Sequence, residues 1–257
     1  MNFKVFRRKF LVGDIHGTWS VITNHLAQFQ DEVGKAREMD IANTGYIQVG
    51  DFGIGFNDLQ YDVDRLMRLN QTLKDNLAYL YIIRGNHDDP NWFRPENFKE
   101  VKEALDHIMF IPDYTILNLD LEDILFIGGA TSIDRIPLRF RPYVAWWKDE
   151  VFPFSEEKLK AIRGVERLVM HTTPDFCEPV KMGQIVYNYA ATDPDLLKDL
   201  EAERARVTRA FNILTLDEDG GKNPIKGLYY GHFHRDYNMI HNNCEFVCLG
   251  VNTIKRL

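Results

Sequence analysis

Apolar residues in this chain fall into short runs, each closed by glycine or a turn-forming polar residue. Phe10-Leu11-Val12 ends at Gly13, Tyr46-Ile47-Gln48-Val49 at Gly50, and Leu77-Ala78-Tyr79-Leu80-Tyr81-Ile82-Ile83 runs into Arg84-Gly85. Such short runs, rich in β-branched and aromatic residues, predict strands. Residues 115 to 119 and 124 to 127, around the acidic turn 120 to 123, predict a hairpin. Leu168-Val169-Met170 predicts a strand ending at His171, and Leu228-Tyr229-Tyr230 one ending at Gly231. Two last runs, about 237 to 240 and 245 to 249, flank an Asn242-Asn243 turn.

Helical spacing fills the intervals. Trp19, Val21, Ile22, Leu26 and Phe29 recur with a period near 3.6, with Thr18 placed as the N-cap. A second helix is predicted from Asp58 to about Leu73, carrying Leu59, Val63, Leu66, Leu69 and Leu73 on one face. Shorter helices are expected around 97 to 105 and from a Ser155 cap to about 162. Asp193-Pro194 reads as the start of a long helix with Leu197, Leu200, Val207 and Phe211 inward and a solvated charged face from Lys198 to Arg209. Residues 131 to 153 resist assignment because Pro137, Pro142 and Pro153 break any period. No repeat, low-complexity tract or linker divides the chain, so residues 1 to 257 are read as one domain.

Composition narrows the class. With 45% hydrophobic and 27% charged residues, this is an ordinary soluble chain. A net charge of -7 and a pI near 5.6 argue against nonspecific nucleic-acid binding, which needs clustered Lys and Arg. No stretch approaches a membrane span and the N-terminus has no apolar leader, so a cytoplasmic protein without membrane attachment is expected. Cys177, Cys244 and Cys248 are odd in number and form no CxxC pair, which predicts buried structural thiols in a reducing compartment.

The candidate chemistry lies just past the strands. Asp14 and His16 stand two apart in Gly13-Asp14-Ile15-His16-Gly17, so on an extended strand end they leave from one face and can meet one cation. Asp51, Asn86, His171, and His232 with His234 follow four later apolar runs. A pair of divalent ions about 3.5 to 4 Å apart needs a bridging carboxylate, with imidazoles and amides completing the shells.

In this order the motifs resemble those of the calcineurin-like metallophosphoesterases: GDxH, GD, GNH, a lone His and GHxH. Here they read GDIH, GD, GNHD, H and GHFH across residues 13 to 234. The resemblance implies an α/β fold, a four-layer α/β/β/α sandwich with two mixed sheets. It implies that Asp51 bridges two metal ions, that Asp14, His16 and His234 complete one site, and that Asn86, His171 and His232 complete the other. Manganese, iron and zinc all suit that mixed O and N donor set. His87 matches the position that protonates the leaving oxygen.

Two divalent ions with two carboxylates and one hydroxide leave about one net positive charge, so a phosphate ester is attracted despite the acidic protein. Metal-bound water with a pKa of about 7 then supplies hydroxide for in-line attack. The implied function is hydrolysis of a small phosphomonoester or nucleotide. A phosphodiesterase and a non-catalytic metal-binding interaction scaffold are the alternatives. The phosphoprotein phosphatase branch resembles GDxVDRG at the second motif; Phe52-Gly53-Ile54-Gly55 stands here instead, which removes two helper residues and argues against a phosphoprotein substrate. Arg135, Arg139 or Arg141 could replace the missing phosphate-binding Arg, with Trp146 or Trp147 offering a planar face; equally, these residues could anchor their loop. Arg84 and Trp19 are read as structural, and His25, His107 and His241 as structural or exposed. The sequence is silent on oligomeric state.

Overall fold

The computed structural model describes residues 4–140, 146–177, 183–216 and 223–257. Its strands are β1 (Lys9–Val12), β2 (Thr44–Gln48), β3 (Ala78–Ile82), β4 (Ile108–Phe110), β5 (Thr115–Leu119), β6 (Glu122–Ile127), β7 (Arg167–Met170), β8 (Gly227–Tyr230), β9 (Tyr237–His241), β10 (Cys244–Cys248) and β11 (Ile254–Arg256). Every predicted strand forms within a few residues of its expected bounds. The short β4 and β11 were too brief to show a pattern.

Two mixed sheets result. The first has the order β11-β1-β2-β3-β4, with β1 to β4 parallel and β11 antiparallel to β1. The second runs β5-β6-β7-β8-β10-β9, with a parallel centre and antiparallel edge strands at β5 and β9. Alternation with period two sorts their side chains into three apolar layers. Phe10, Val12, Tyr46, Leu80 and Ile82 face the helices outside the first sheet. Leu11, Ile47 and Tyr81 meet Ile124, Phe126, Val169, Tyr229 and Val247 between the sheets. Leu125, Leu168, Met170, Leu228, Tyr230 and Phe246 face the helices outside the second. This is the α/β/β/α sandwich. Central strands buried on both faces explain why they read as near-continuous apolar runs.

Helix Leu59–Asp75 covers the first sheet through Leu66, Leu69 and Leu73, and the Asp58 side chain caps it by accepting the Tyr61 N–H at 2.9 Å. Helix Leu196–Thr215 covers the second sheet together with Glu156–Ala161. Two predicted starts shift. The first helix is Ser20–Leu26, with Trp19 rather than Thr18 at the capping position and no side-chain cap; the Thr18 N–H closes a turn onto Ile15 O at 2.7 Å just ahead of it. The long helix is Leu196–Thr215, and Asp193 lies just ahead of it with its carboxylate shared between the Arg135 guanidinium and the Asp195 backbone N–H. Its charged face is also not wholly solvated: Glu203 is buried and accepts the Thr131 hydroxyl at 2.7 Å.

Several polar and aromatic residues are built into the frame. Trp19 stacks on Phe52 with centroids 4.6 Å apart and donates Nε1–H to Phe52 O at 2.9 Å. His25 pairs with the Tyr46 hydroxyl at 2.9 Å, His107 with Ala78 O at 2.6 Å, and His241 stacks on Phe176. Cys177, Cys244 and Cys248 are free and buried. Among the described residues no helix is long and apolar enough to cross a membrane.

Candidate metal centre

The carboxyl ends of β1, β2 and β3 in one sheet and of β7 and β8 in the other converge on one spot. Asp14, Asp51, Asn86, His171 and His232 each lie within a few residues of such an end. Ligands gather there in open α/β sheets because the loops leave the packed layers at that edge. The backbone is strained to aim them: His16, Asp51, His232 and His234 all have positive φ, at 42°, 56°, 67° and 53°. Left-handed conformations at non-glycine residues cost about 1 kcal/mol or more each and cluster where a site over-determines them.

Asp14, His16, Asp51 and His234 form one group, their ligand atoms all within 4.8 Å of one another. His16 Nε2 lies 3.8 Å from Asp51 Oδ2, and His234 Nε2 lies 3.5 Å from Asp14 Oδ2. Asp14 Oδ1 and Asp51 Oδ2 are buried and have no hydrogen-bond partner among the described residues. Two orphaned carboxylate oxygens beside imidazole nitrogens are costly in a protein interior unless a cation fills the gap. The donor set therefore fits a divalent metal.

The remaining residues converge on the other side of Asp51. His171 Nε2 is 3.4 Å from Asp51 Oδ1 and 2.9 Å from Asn86 Oδ1, and His232 Nδ1 is 2.8 Å from the same amide oxygen. Glycines make this approach possible. A Cβ on Gly85 would lie 2.0 Å from Asp51 Oδ1, and one on Gly231 would lie 2.1 Å from Asp14 Oδ1.

Protonation follows from burial and neighbours. Burial lifts the Asp14 carboxyl to about 8. It pushes Asp51 the same way, but the imidazoles of His171 and His87 override it and hold Asp51 well below the ordinary carboxylate range. Burial works against a charged His171, yet the Asp51 carboxylate raises it to about 9. Burial lowers His16, His232 and His234, which keeps their lone pairs available.

His87 donates its backbone N–H to Asp51 Oδ1 at 2.9 Å, and its Nε2 lies 4.0 Å from Asp134 Oδ1. Asp134 escaped sequence reading because it sits in the unassigned stretch with no motif around it. Asp88, quoted only as the tail of GNHD, is a clamp: its buried carboxylate accepts the N–H groups of Phe52, Gly53, Ile54 and Gly85 at 2.7 to 3.1 Å. It ties the Asp51 loop to the Asn86 loop. Ser132 and Glu150 were likewise missed, and Ser132 accepts the Asn86 amide N–H at 2.8 Å.

The loop arginines part company. Arg135 binds Asp193 and Asp199, with contacts of 2.5 and 2.7 Å. Arg139 is exposed and lies over the Trp146 ring, 4.3 Å from its centroid. Arg141 lies outside the described residues. Trp147 reaches the space beside Gly55. Arg84 is buried, pairs with Asp113 at 2.9 Å and donates to the carbonyls of Asp149, Glu150 and Val151, which is a structural role.

The model of the family described as calcineurin-like phosphoesterase matches residues 8–236. The chain belongs to this family. Phosphoesterase is the activity by which that family is described. No curated protein matches the chain. Among solved structures, it is similar to a candidate 5′-nucleotidase of Staphylococcus aureus in complex with alpha-ketoglutarate, at 15% identity and a TM-score of 0.45, over 98% of this chain and 50% of that one. The chain therefore spans about half the length of that protein. It is also similar to a protein of Thermus thermophilus, at 10% identity and a TM-score of 0.47, over 97% of this chain and 98% of that one. A phosphopantetheinyl hydrolase of Mycobacterium tuberculosis matches at 12% identity and a TM-score of 0.44, over 95% of this chain and 90% of that one.

Proposed function

We propose that this calcineurin-like phosphoesterase hydrolyses a small phosphomonoester, such as a nucleotide, at a two-metal centre. Asp51 would bridge the two ions, with Asp14, His16 and His234 holding one and Asn86, His171 and His232 the other. The observation that carries this reading is that the two oxygens of Asp51 face two different donor groups, Oδ2 toward His16 at 3.8 Å and Oδ1 toward His171 at 3.4 Å. Manganese, iron and zinc all suit these donors.

Bound divalent ions supply the positive charge that draws in a phosphate ester and the acidity that makes hydroxide available near neutral pH. The chain's own groups do the rest. His87, held at the site by its N–H bond to Asp51, gives a proton to the leaving oxygen, and the Asp134 carboxylate complements the charged imidazole. Among the arginines of the loop, Arg139 takes the phosphate-gripping role beside the Trp146 face, because the donors of Arg135 are spent on Asp193 and Asp199. Arg141 stays a candidate on sequence alone. The whole chain acts as one domain, and its free thiols suit the cytoplasm.

Hydrolysis of p-nitrophenyl phosphate and of its bis-ester, by metal-stripped protein with manganese restored, tests this. Turnover of the monoester in preference to the diester is expected. The opposite preference makes the chain a diesterase, and no hydrolysis of either by metallated protein contradicts the reading.

A further inference from the structure

Asn86 is an amide among carboxylates and imidazoles, and an amide offers two unlike edges, a carbonyl oxygen that can bind a metal and an NH2 that cannot. In the structure Nδ2 points to Ser132, and Oδ1 to His171 and His232. What sets this direction lies in the loop after β6. The Ser132 hydroxyl donates to Glu150 Oε2 at 2.6 Å, and the Ser132 backbone N–H donates to Glu150 Oε1 at 2.9 Å. A carboxylate only accepts, so the single hydroxyl proton is committed to Glu150. The Ser132 oxygen can then only accept from Asn86, at 2.8 Å, and only the NH2 edge fits.

The relay is dry and fixed at its far end. Asn86, Ser132 and Glu150 are 1%, 1% and 2% exposed, so water does not compete for these bonds. Glu150 O accepts from Ala130 N at 3.0 Å and from Arg84 Nη1 at 2.9 Å, which anchors it to β3 and to the start of the loop.

We infer that Ser132 and Glu150 are positioning residues that hold the carbonyl edge of Asn86 toward the metal site. The inference rests on Asn86 being a ligand, as proposed above. It gives the stretch 131 to 150 a role in assembling the centre, whatever its arginines do.

Calorimetric titration of manganese into the stripped full-length protein tests it, at about pH 8.5, where Glu150, lifted by burial to about 7, is ionised. Ser132→Ala should weaken one of two ions by about 10- to 100-fold, the usual cost of losing a partner that orients a ligand. Glu150→Gln should do the same without changing volume, because its NH2 would donate to Ser132 and release the hydroxyl proton toward Asn86 Oδ1. It therefore carries the test should Ser132→Ala fail to fold. Ser132→Thr should restore affinity. In an Asn86→Ala background Ser132→Ala should cost nothing more, whereas a general structural role would cost the same in both backgrounds. Wild-type affinity in both Ser132→Ala and Glu150→Gln, or equal losses in the two backgrounds, overturns the inference while leaving Asn86 a ligand. Wild-type affinity in Asn86→Ala overturns the ligand assignment itself, and the relay with it.

Discussion

His16 Nε2 and His234 Nε2 face each other at 3.1 Å, although 218 positions separate them in the chain. Two neutral imidazoles cannot both accept, so one must donate or a cation must sit against both lone pairs. With Asp14 Oδ1 and Asp51 Oδ2 orphaned beside them, a cation resolves the whole group. Metal binding should therefore stabilise the fold. At one hundred times its dissociation constant, manganese should add about 2.7 kcal/mol. That corresponds to a rise of roughly 5 to 10 °C for a chain of this size. A thermal melt with chelator and with manganese checks this, and Asp14→Asn should abolish most of the gain.

The pH dependence has a definite sign. Asp14, lifted to about 8, and His171, raised to about 9, hold protons at neutral pH in the metal-free protein. Both bind protons more tightly folded than unfolded, so their contribution to metal-free stability is fully present below the ordinary values of 3.8 and 6.5 and is lost as pH rises from there to about 8 for Asp14 and about 9 for His171. Metal must displace the same protons, so its affinity should rise across that window. Titration calorimetry at pH 7 in buffers of different ionisation enthalpy should detect release of roughly one to two protons.

His87→Ala separates acid catalysis from metal binding. Manganese affinity should stay near wild type, while turnover of an alkyl phosphate falls by about 10²- to 10⁴-fold. With p-nitrophenyl phosphate the loss should be much smaller, since that leaving group needs little protonation. Equal losses on both substrates would remove His87 from the role of acid.

Asp88→Asn should unmoor the two loops that carry Asp51 and Asn86. A buried carboxylate accepting four backbone N–H groups is replaced by a side chain that must turn its NH2 toward some of them. A loss of about 2 to 4 kcal/mol in urea unfolding is expected, with weaker manganese binding.

The arginines make opposite predictions. Arg135→Ala should lower stability with little effect on KM, because its guanidinium is paired with Asp193 and Asp199. Arg139→Ala should raise KM and leave the melting curve nearly unchanged, being exposed over Trp146. Steady-state kinetics with thermal melts on both variants decides between a substrate clamp and a loop anchor.

Much of this architecture was legible in the sequence because a strand end joins a periodic signal to a chemical one. Val12 before Asp14 and Met170 before His171 mark where buried runs stop, and polar ligands directly after them stand out. Ser132, Glu150, Asp134 and Asp88 lack that contrast. Their roles depend on which neighbour the fold brings near, and a Ser with a Glu eighteen residues on has no periodicity to betray it. The Thr18 cap failed for a local reason: the chain is still turning from Ile15 to Thr18, so the helix begins later and Trp19 takes the capping position.

The central claim is the bridge. Manganese titrated into the stripped protein should bind at two ions per chain, and Asp51→Asn should lose high affinity for both together. A single ion in the wild type, or an Asp51→Asn variant that still binds two with undiminished affinity, would contradict it.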